Sequence, residues 1–392
     1  MNEEQEIKEL IQELSKKGVW ARKSTKERLA EIGEPAVPYL VEKVKDENSW
    51  VVYDVITDIG EPAVPYLIEA LKATDNIPLK GDCGNLIGRI GVCAVPYLED
   101  ALKDGENRRY IVEIMGSIND SSVITILTKA LDDEEDTVRC SAARSLGEIA
   151  QKGHDVSKAV PKLIKMLKGM GSLSAMGATH ALGDIKDPRA FPHLIEKLRF
   201  ESSSYEAVKA LKKIGKPAVP CLLEALKHEN GMTKERIIDL LGEIRDESSV
   251  PALIGILKEY KNEELLKAAM KTISKIGHAS ANPVLMDIFR NNERLEDKAF
   301  EALRINAINL FHKKEYAESL RTIKEVMLIT RNKYGPWKNS ASSRMIRSRM
   351  ESFSDLIHRI QERMNRLDRD EPLKIKRKAK PRKGKSKKKI KH

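Results

Sequence analysis

Aromatic residues make up only 5% of this 392-residue chain, against 41% apolar residues in all. A core of stacked rings is therefore excluded, and one of Leu, Ile, Val and Ala packed between helices is expected. Cysteine is equally scarce. Cys83, Cys93, Cys140 and Cys221 form no CxxC and no metal-ligand spacing, so they are read as reduced thiols packed as small apolar residues, as suits a cytoplasmic protein. No apolar run approaches the roughly 18 residues needed to cross a bilayer. The start, MNEEQEIKELI, is acidic rather than basic-then-apolar, so neither secretion nor membrane spanning is expected.

Acidic residues are missing from one place in particular. The formal net charge is +11, yet the last 19 residues, Lys374 to His392, hold 12 Lys or Arg and no Asp or Glu. The rest of the chain is close to neutral, and residues 1–330 are mildly acidic. Such asymmetry concerns partners rather than fold.

What the chain has in abundance is repetition. IGEPAVPYL stands at Ile32 to Leu40 and returns unchanged at Ile59 to Leu67, with IGVCAVPYL at Ile90 to Leu98. The isoleucine that closes the first half of each unit recurs at 32, 59, 90, 118, 149, 185, 214, 244 and 276, and a proline follows most of them by six or seven residues. A period near 30 marks a repeat architecture. Each unit reads as two helices. In DTVRCSAARSLGEI (Asp136 to Ile149), Val138, Ala142, Leu146 and Ile149 fall on one face, while in AVPYLIEALK (Ala63 to Lys72) the stripe is Val64, Leu67, Ile68 and Leu71. Between them the Gly ends one helix and the Pro, harmless in a first turn, starts the next.

These residues resemble the HEAT-like repeats of the bilin (phycocyanobilin) lyase type over roughly Ala21 to Asn291. Asp136 to Ile149 matches the first half of that repeat, and Glu61 to Lys72 and Pro217 to Lys227 the second. The resemblance implies an all-α fold, a right-handed α-solenoid (α-α superhelix) of about nine helical pairs, and leaves function open because enzymes, chaperones and scaffolds share it. Deoxyhypusine-hydroxylase-like enzymes of this kind hold two irons through several His-Glu pairs on first helices. Here a single pair occurs, His228-Glu229, placed by its context in a loop, and His180 lacks an adjacent Glu. Bilin-lyase chemistry needs a tetrapyrrole system of which the sequence gives no sign. No catalytic residue, cofactor or metal set is therefore expected.

The organisation expected is a capping helix (1–20), a HEAT-like solenoid (21–292), a hairpin resembling a tetratricopeptide unit as cap (293–330), a linker (331–342), a basic amphipathic helix (343–370) and a disordered polybasic tail (371–392). Ile346, Met350, Phe353, Ile357, Ile360, Met364 and Leu367 space a heptad seam. It has three possible fates: folding back on the solenoid, pairing with a second copy, or holding a foreign helix. Tyr39, Tyr66 and Tyr97 form a ladder on second helices that would either anchor a protein partner or pack internally. A polyanion, with nucleic acid leading, is expected on Arg359, Arg363, Arg366, Lys374, Lys376, Arg377, Lys378, Lys380, Arg382, Lys383, Lys385, Lys387, Lys388, Lys389 and Lys391. The reading is a non-catalytic scaffold or adaptor; the alternative is a HEAT-repeat enzyme or enzyme-maturation factor.

Overall fold

The computed structural model describes residues 2–16, 19–44, 50–103, 105, 107–169, 172–259, 262–334, 351 and 353–366, and the regular structure among them is all helical. The fold is an all-α solenoid, and its contacts fall into two units, 1–221 and 222–392. The first unit opens with α1 (Glu3–Lys16). Pairs follow: α2 (Val19–Ile32) and α3 (Val37–Lys43), α4 (Trp50–Ile59) and α5 (Val64–Lys72), α6 (Ile77–Ile90) and α7 (Val95–Lys103), α8 (Arg108–Ser117) and α9 (Ser122–Ala130), α10 (Asp136–Gln151) and α11 (Val160–Met166), α12 (Leu173–Ile185) and α13 (Phe191–Glu196). Next come α14 (Glu201–Ile214) and α15 (Val219–His228), within which the division falls. The second unit continues with α16 (Gly231–Ile244) and α17 (Val250–Glu259), α18 (Glu263–Ile276) and α19 (Asn282–Asn291), α20 (Glu296–His312) and α21 (Tyr316–Tyr334), and α22, residues 353–366.

The repeated turn is tighter than Gly-then-Pro. Gly33 and Gly60 sit at φ 73° and 74°, a region that side chains with a Cβ enter only at a cost. Each is followed by one 3-10 turn, Glu34–Ala36 or Glu61–Ala63, before the second helix begins with Pro in its first turn. Where the sequence has Lys186 or Arg245 in place of Gly, that residue takes φ 57° instead. The Asp that follows, Asp187 or Asp246, then caps the 3-10 turn by accepting from the N–H of Arg189 or Ser248.

First helices stack through small residues. An added Cβ on Gly116 (α8) would lie 2.6 Å from Ser145 Cβ and 3.0 Å from Ser145 Cα on α10. Gly147 meets Ala181, Gly183 meets Ala210 and, in the second unit, Gly242 meets Thr272 in the same way. Two of these joints carry a hydrogen bond: Ser145 Oγ donates to Val112 O and Thr272 Oγ1 to Ile238 O, each at 3.0 Å. Backbone approach this close lets buried Leu and Ile interdigitate on the other faces, which is where most of the stabilisation of a repeat array arises. Charged clasps reinforce the joints. Asp54 on α4 accepts from Lys26 of the preceding first helix (2.7 Å) and from Arg89 of the following one (3.0 Å), and its carboxyl is held below the usual range first by Lys26 and then by Arg89.

In the second unit α22 lies against its neighbours. Phe353 and Ile360 are fully buried and Leu356 nearly so. The Phe353 ring meets Phe300 of α20 edge-on at 5.5 Å, and Phe300 in turn lies 5.8 Å from Phe289 of α19. Of the three fates open to the heptad seam, α22 thus shows the fold-back. The buried stripe also differs from the heptad expected: Leu356 is buried where the heptad places Ile357, which is half-buried, so the face turned to α20 is set by docking on its neighbours rather than by a coiled-coil seam. Ile346, Met350 and Leu367 lie outside the described residues.

Candidate functional site

The tyrosine ladder is engaged within the first unit. Tyr66 Oη donates to Glu34 Oε1 at 3.3 Å and Tyr97 Oη to Glu61 Oε1 at 3.1 Å, each carboxylate belonging to the turn of the preceding repeat. Lys8 Nζ stands 5.5 Å from the Tyr39 ring centroid, and Glu4 supplies that hydroxyl with a carboxylate partner. The Tyr97 hydroxyl is pushed up mainly by its bond to Glu61, and those of Tyr39 and Tyr66 mainly by burial. All three rings are half-buried, with their hydroxyls acting as clasps between repeats.

Basic residues at the ends of second helices are also spoken for. Lys103 pairs with Asp100 and Lys227 with Glu224, both at 2.6 Å, the i to i+3 neutralisation that a helix surface favours. His228 is not in a loop but is the last residue of α15, 3.2 Å from Glu224 Oε1; a basic side chain there is favoured by the helix dipole. His180 pairs with Glu206 of α14. Among the described residues, no three His, Cys, Asp or Glu side chains gather as a metal site.

Of the polyanion residues, Arg359 stacks over the Phe311 ring at 5.4 Å, and Arg363 and Arg366 are exposed on α22. Lys374, Lys376, Arg377, Lys378, Lys380, Arg382, Lys383, Lys385, Lys387, Lys388, Lys389 and Lys391 lie outside the described residues.

The most distinctive surface lies elsewhere, where the second helices of two repeats lead into the next first helices. Two hollows adjoin there, both within the first unit. One, of about 110 Å³, lies between the start of α12 and the start of α14, among Ser172, Leu173, Met176, Ser202, Ser203 and Glu206. The other, of about 370 Å³, is lined by Ile164, Leu167, Lys168, His193, Glu196 and Phe200. Lys197 lines both, although it is only 8% exposed. Around them stand Leu173 at 48% exposure, Met176 at 40% and Phe200 at 38%, with Tyr205 at 66% one turn beyond Ser202. Large apolar side chains are grouped on a surface chiefly where something covers them.

Local sequence explains the arrangement. Asp136 of α10 reaches across to accept from the N–H groups of Leu173 and Ser174 at 2.8 and 3.4 Å, which fixes the start of α12 and leaves Leu173 projecting. The second helix of this repeat stops early: a 3-10 turn, Lys197–Arg199, tucks Leu198 inward and sets Phe200 at the head of α14. Sequence reasoning missed this site because Glu196 and Arg199 stand where charged residues recur on the second helices of other repeats, as Glu69 and Lys72 or Glu224 and Lys227 do. The available signal was KLRF, a phenylalanine where other repeats place polar loop residues.

Comparison with known proteins agrees on the repeat. The family described as HEAT repeats matches residues 95–169 and 219–304, and the PBS lyase HEAT-like repeat matches 175–200. Deoxyhypusine hydroxylase from Gallus gallus is 26% identical over 88 residues, 22% of this chain and 28% of that protein, so the match spans under a third of the relative's length. Among solved structures, human deoxyhypusine hydroxylase in complex with glycerol aligns with 63% of this chain and 96% of its own at 19% identity and a TM-score of 0.29. The CpcE–CpcF complex of phycocyanin lyase from Nostoc aligns with 69% and 93% at 17% identity and a TM-score of 0.27. Helical pairs closed by a Gly-turn-Pro joint and stacked through small residues are what those sequence matches describe, and the chain is a HEAT-like repeat protein.

Proposed function

We propose that this HEAT-repeat chain is a non-catalytic scaffold or adaptor that holds a protein partner. The observation carrying the proposal is the grouping of exposed Leu173, Met176 and Phe200 around two adjoining hollows. The tyrosine ladder is a second contact candidate through its ring edges, its hydroxyls being engaged. Selection of peptides from a displayed random library on the full chain, against a variant with Leu173, Met176 and Phe200 changed to Ser, tests it. Peptides enriched on the first and not the second are expected; equal enrichment on both would remove the surface from consideration. The alternative, an enzyme or maturation factor, is tested by metal analysis of the purified protein, where stoichiometric iron would overturn a purely non-catalytic role.

The basic C-terminal residues extend the proposal to a polyanion, with nucleic acid favoured. Twelve positive charges in 19 residues would displace condensed counterions from a phosphate backbone and give salt-sensitive, sequence-independent attachment. Arg363 and Arg366 would add to it from α22. Binding of nucleic acid by the full chain and by a form truncated after Asp370, titrated across roughly 50 to 300 mM salt, separates the outcomes. Loss of binding on truncation, with a steep salt dependence, is expected; failure of both forms at low salt would end the nucleic-acid assignment.

A further inference from the structure

We propose that the two hollows meeting at Lys197 form a single recognition site for an acidic linear peptide, with the Lys197 ammonium taking a carboxylate and the wider hollow taking an adjacent large apolar side chain. The inference deepens the scaffold reading and rests on it.

Lys197 is the observation that points to a ligand. Lys197 is more than nine-tenths buried as a residue, yet its Nζ is not one of the buried nitrogens left without a partner, so the stem is packed while the ammonium reaches water. Two less buried inter-repeat lysines do find acceptors: the exposed Lys152 donates to the carbonyls of Gly116 and Ser117 at 2.9 and 2.8 Å, and the half-buried Lys162 to Thr128 O at 3.0 Å. Among the described residues none accepts from the Lys197 ammonium, although its own carbonyl accepts from Ser203 Oγ at 3.3 Å. Lys197 lines both hollows, and no side chain there takes up its charge.

The surroundings select the partner's chemistry. Ser202 and Ser203 stand in the first turn of α14, whose N-terminus has no side-chain cap, so the smaller hollow offers hydroxyls and a positive helix end beside the lysine. Glu206, the carboxylate on that wall, is bonded by His180 Nε2 and pairs with Lys209 at 3.7 Å. In the wider hollow Ile164, Leu167 and Phe200 provide apolar walls, and Lys168 and Glu196 stand beside them. A peptide satisfies both halves at once. A nucleic-acid backbone fits less well, since it would leave the exposed Leu173 and Met176 without apolar contact.

The test uses the full chain and the same displayed library of random twelve-residue peptides, followed by titration of the enriched peptides as labelled probes. Enrichment of sequences pairing Asp or Glu with Leu, Ile or Phe is expected. Lys197→Met should weaken them by roughly tenfold to a hundredfold, the loss that accompanies one charge-assisted hydrogen bond. Thermal stability should be unchanged in that variant, because Met fills the stem's space and the ammonium it removes has no acceptor among the described residues; a merely structural lysine would instead lose stability on substitution. Phe200→Ser should weaken the same peptides independently. Enriched peptides that lack acids, or acidic peptides indifferent to both substitutions, would overturn this site while leaving protein binding standing. An oligonucleotide bound by wild type and lost in Lys197→Met would overturn the peptide assignment. If no peptide is enriched, both the site and the reading beneath it fall.

Discussion

Ser145 on α10 donates its hydroxyl hydrogen to the carbonyl of Val112 on α8, 3.0 Å away, at the point where Gly116 lets the two helices touch. The bond spans 33 residues of sequence but joins neighbouring first helices. It shows how little room the joints leave.

That closeness gives two glycine substitutions opposite signs. In a helix interior, Ala is favoured over Gly by about 0.8–1 kcal/mol. Gly81 in α6 has nothing within 4 Å of where a Cβ would stand, so Gly81→Ala should stabilise by about that amount. At Gly116 the new methyl would meet Ser145 Cα at 3.0 Å, and overpacking of about 1–3 kcal/mol outweighs the propensity gain. Chemical denaturation of both variants checks the pair; stabilisation by Gly116→Ala would mean the joint is looser than described.

Truncating the ring that docks α22 should free it. Phe353→Ala removes a fully buried ring in edge contact with Phe300, a change worth about 3–5 kcal/mol where the site cannot collapse. Hydrogen exchange over 353–366 should rise sharply while exchange in α16 and α18 stays unchanged. Unaltered protection of α22 would count against the docking.

The start of α12 should weaken in acid. The Ser174 hydroxyl foremost, and then the backbone N–H groups of Leu173 and Ser174, hold the Asp136 carboxyl below the usual range despite some burial. Its folded value therefore lies under the unfolded chain's, about 3.9. The stabilisation is complete above that pH and is lost as the pH falls through the lowered folded value. Asp136→Ala should reduce the melting temperature at neutral pH, and the gap from wild type should narrow progressively below about pH 4. A gap that stays constant to pH 2 would show that the charge contributes nothing.

If the tyrosines are clasps first, Tyr66→Phe with Tyr97→Phe should lower thermal stability slightly, by loss of the bonds to Glu34 and Glu61. Peptide binding at the Lys197 hollows should be untouched. A large loss of peptide binding would instead place the partner on the ladder.

The periodicity made the repeat legible, since Ile, Gly and Pro mark each joint by the constraints they place on the backbone. The helix pairs of the array follow from it. Less legible were effects that depend on a neighbour roughly 30 residues away. No local pattern says that Tyr97 will find Glu61, or that the apolar stripe of α22 will turn by one residue to seat Leu356. Lys197 was hidden for the same reason: its sequence context is that of an exposed helix-end lysine, and only the early stop of α13 and the tuck of Leu198 draw it inward.

Two adjacent first helices carry both mating parts: Ser145 to meet the unit before and Gly147 the unit after on α10, Ala181 and Gly183 on α12. A copied block of about 30 residues with fittings on both ends can be spliced beside its parent without compensating changes. The length of such an array is set by gene duplication rather than by the closure of a core. A side chain at one joint, such as Lys197 in the site proposed, can accordingly diverge there while the sister joints keep their packing.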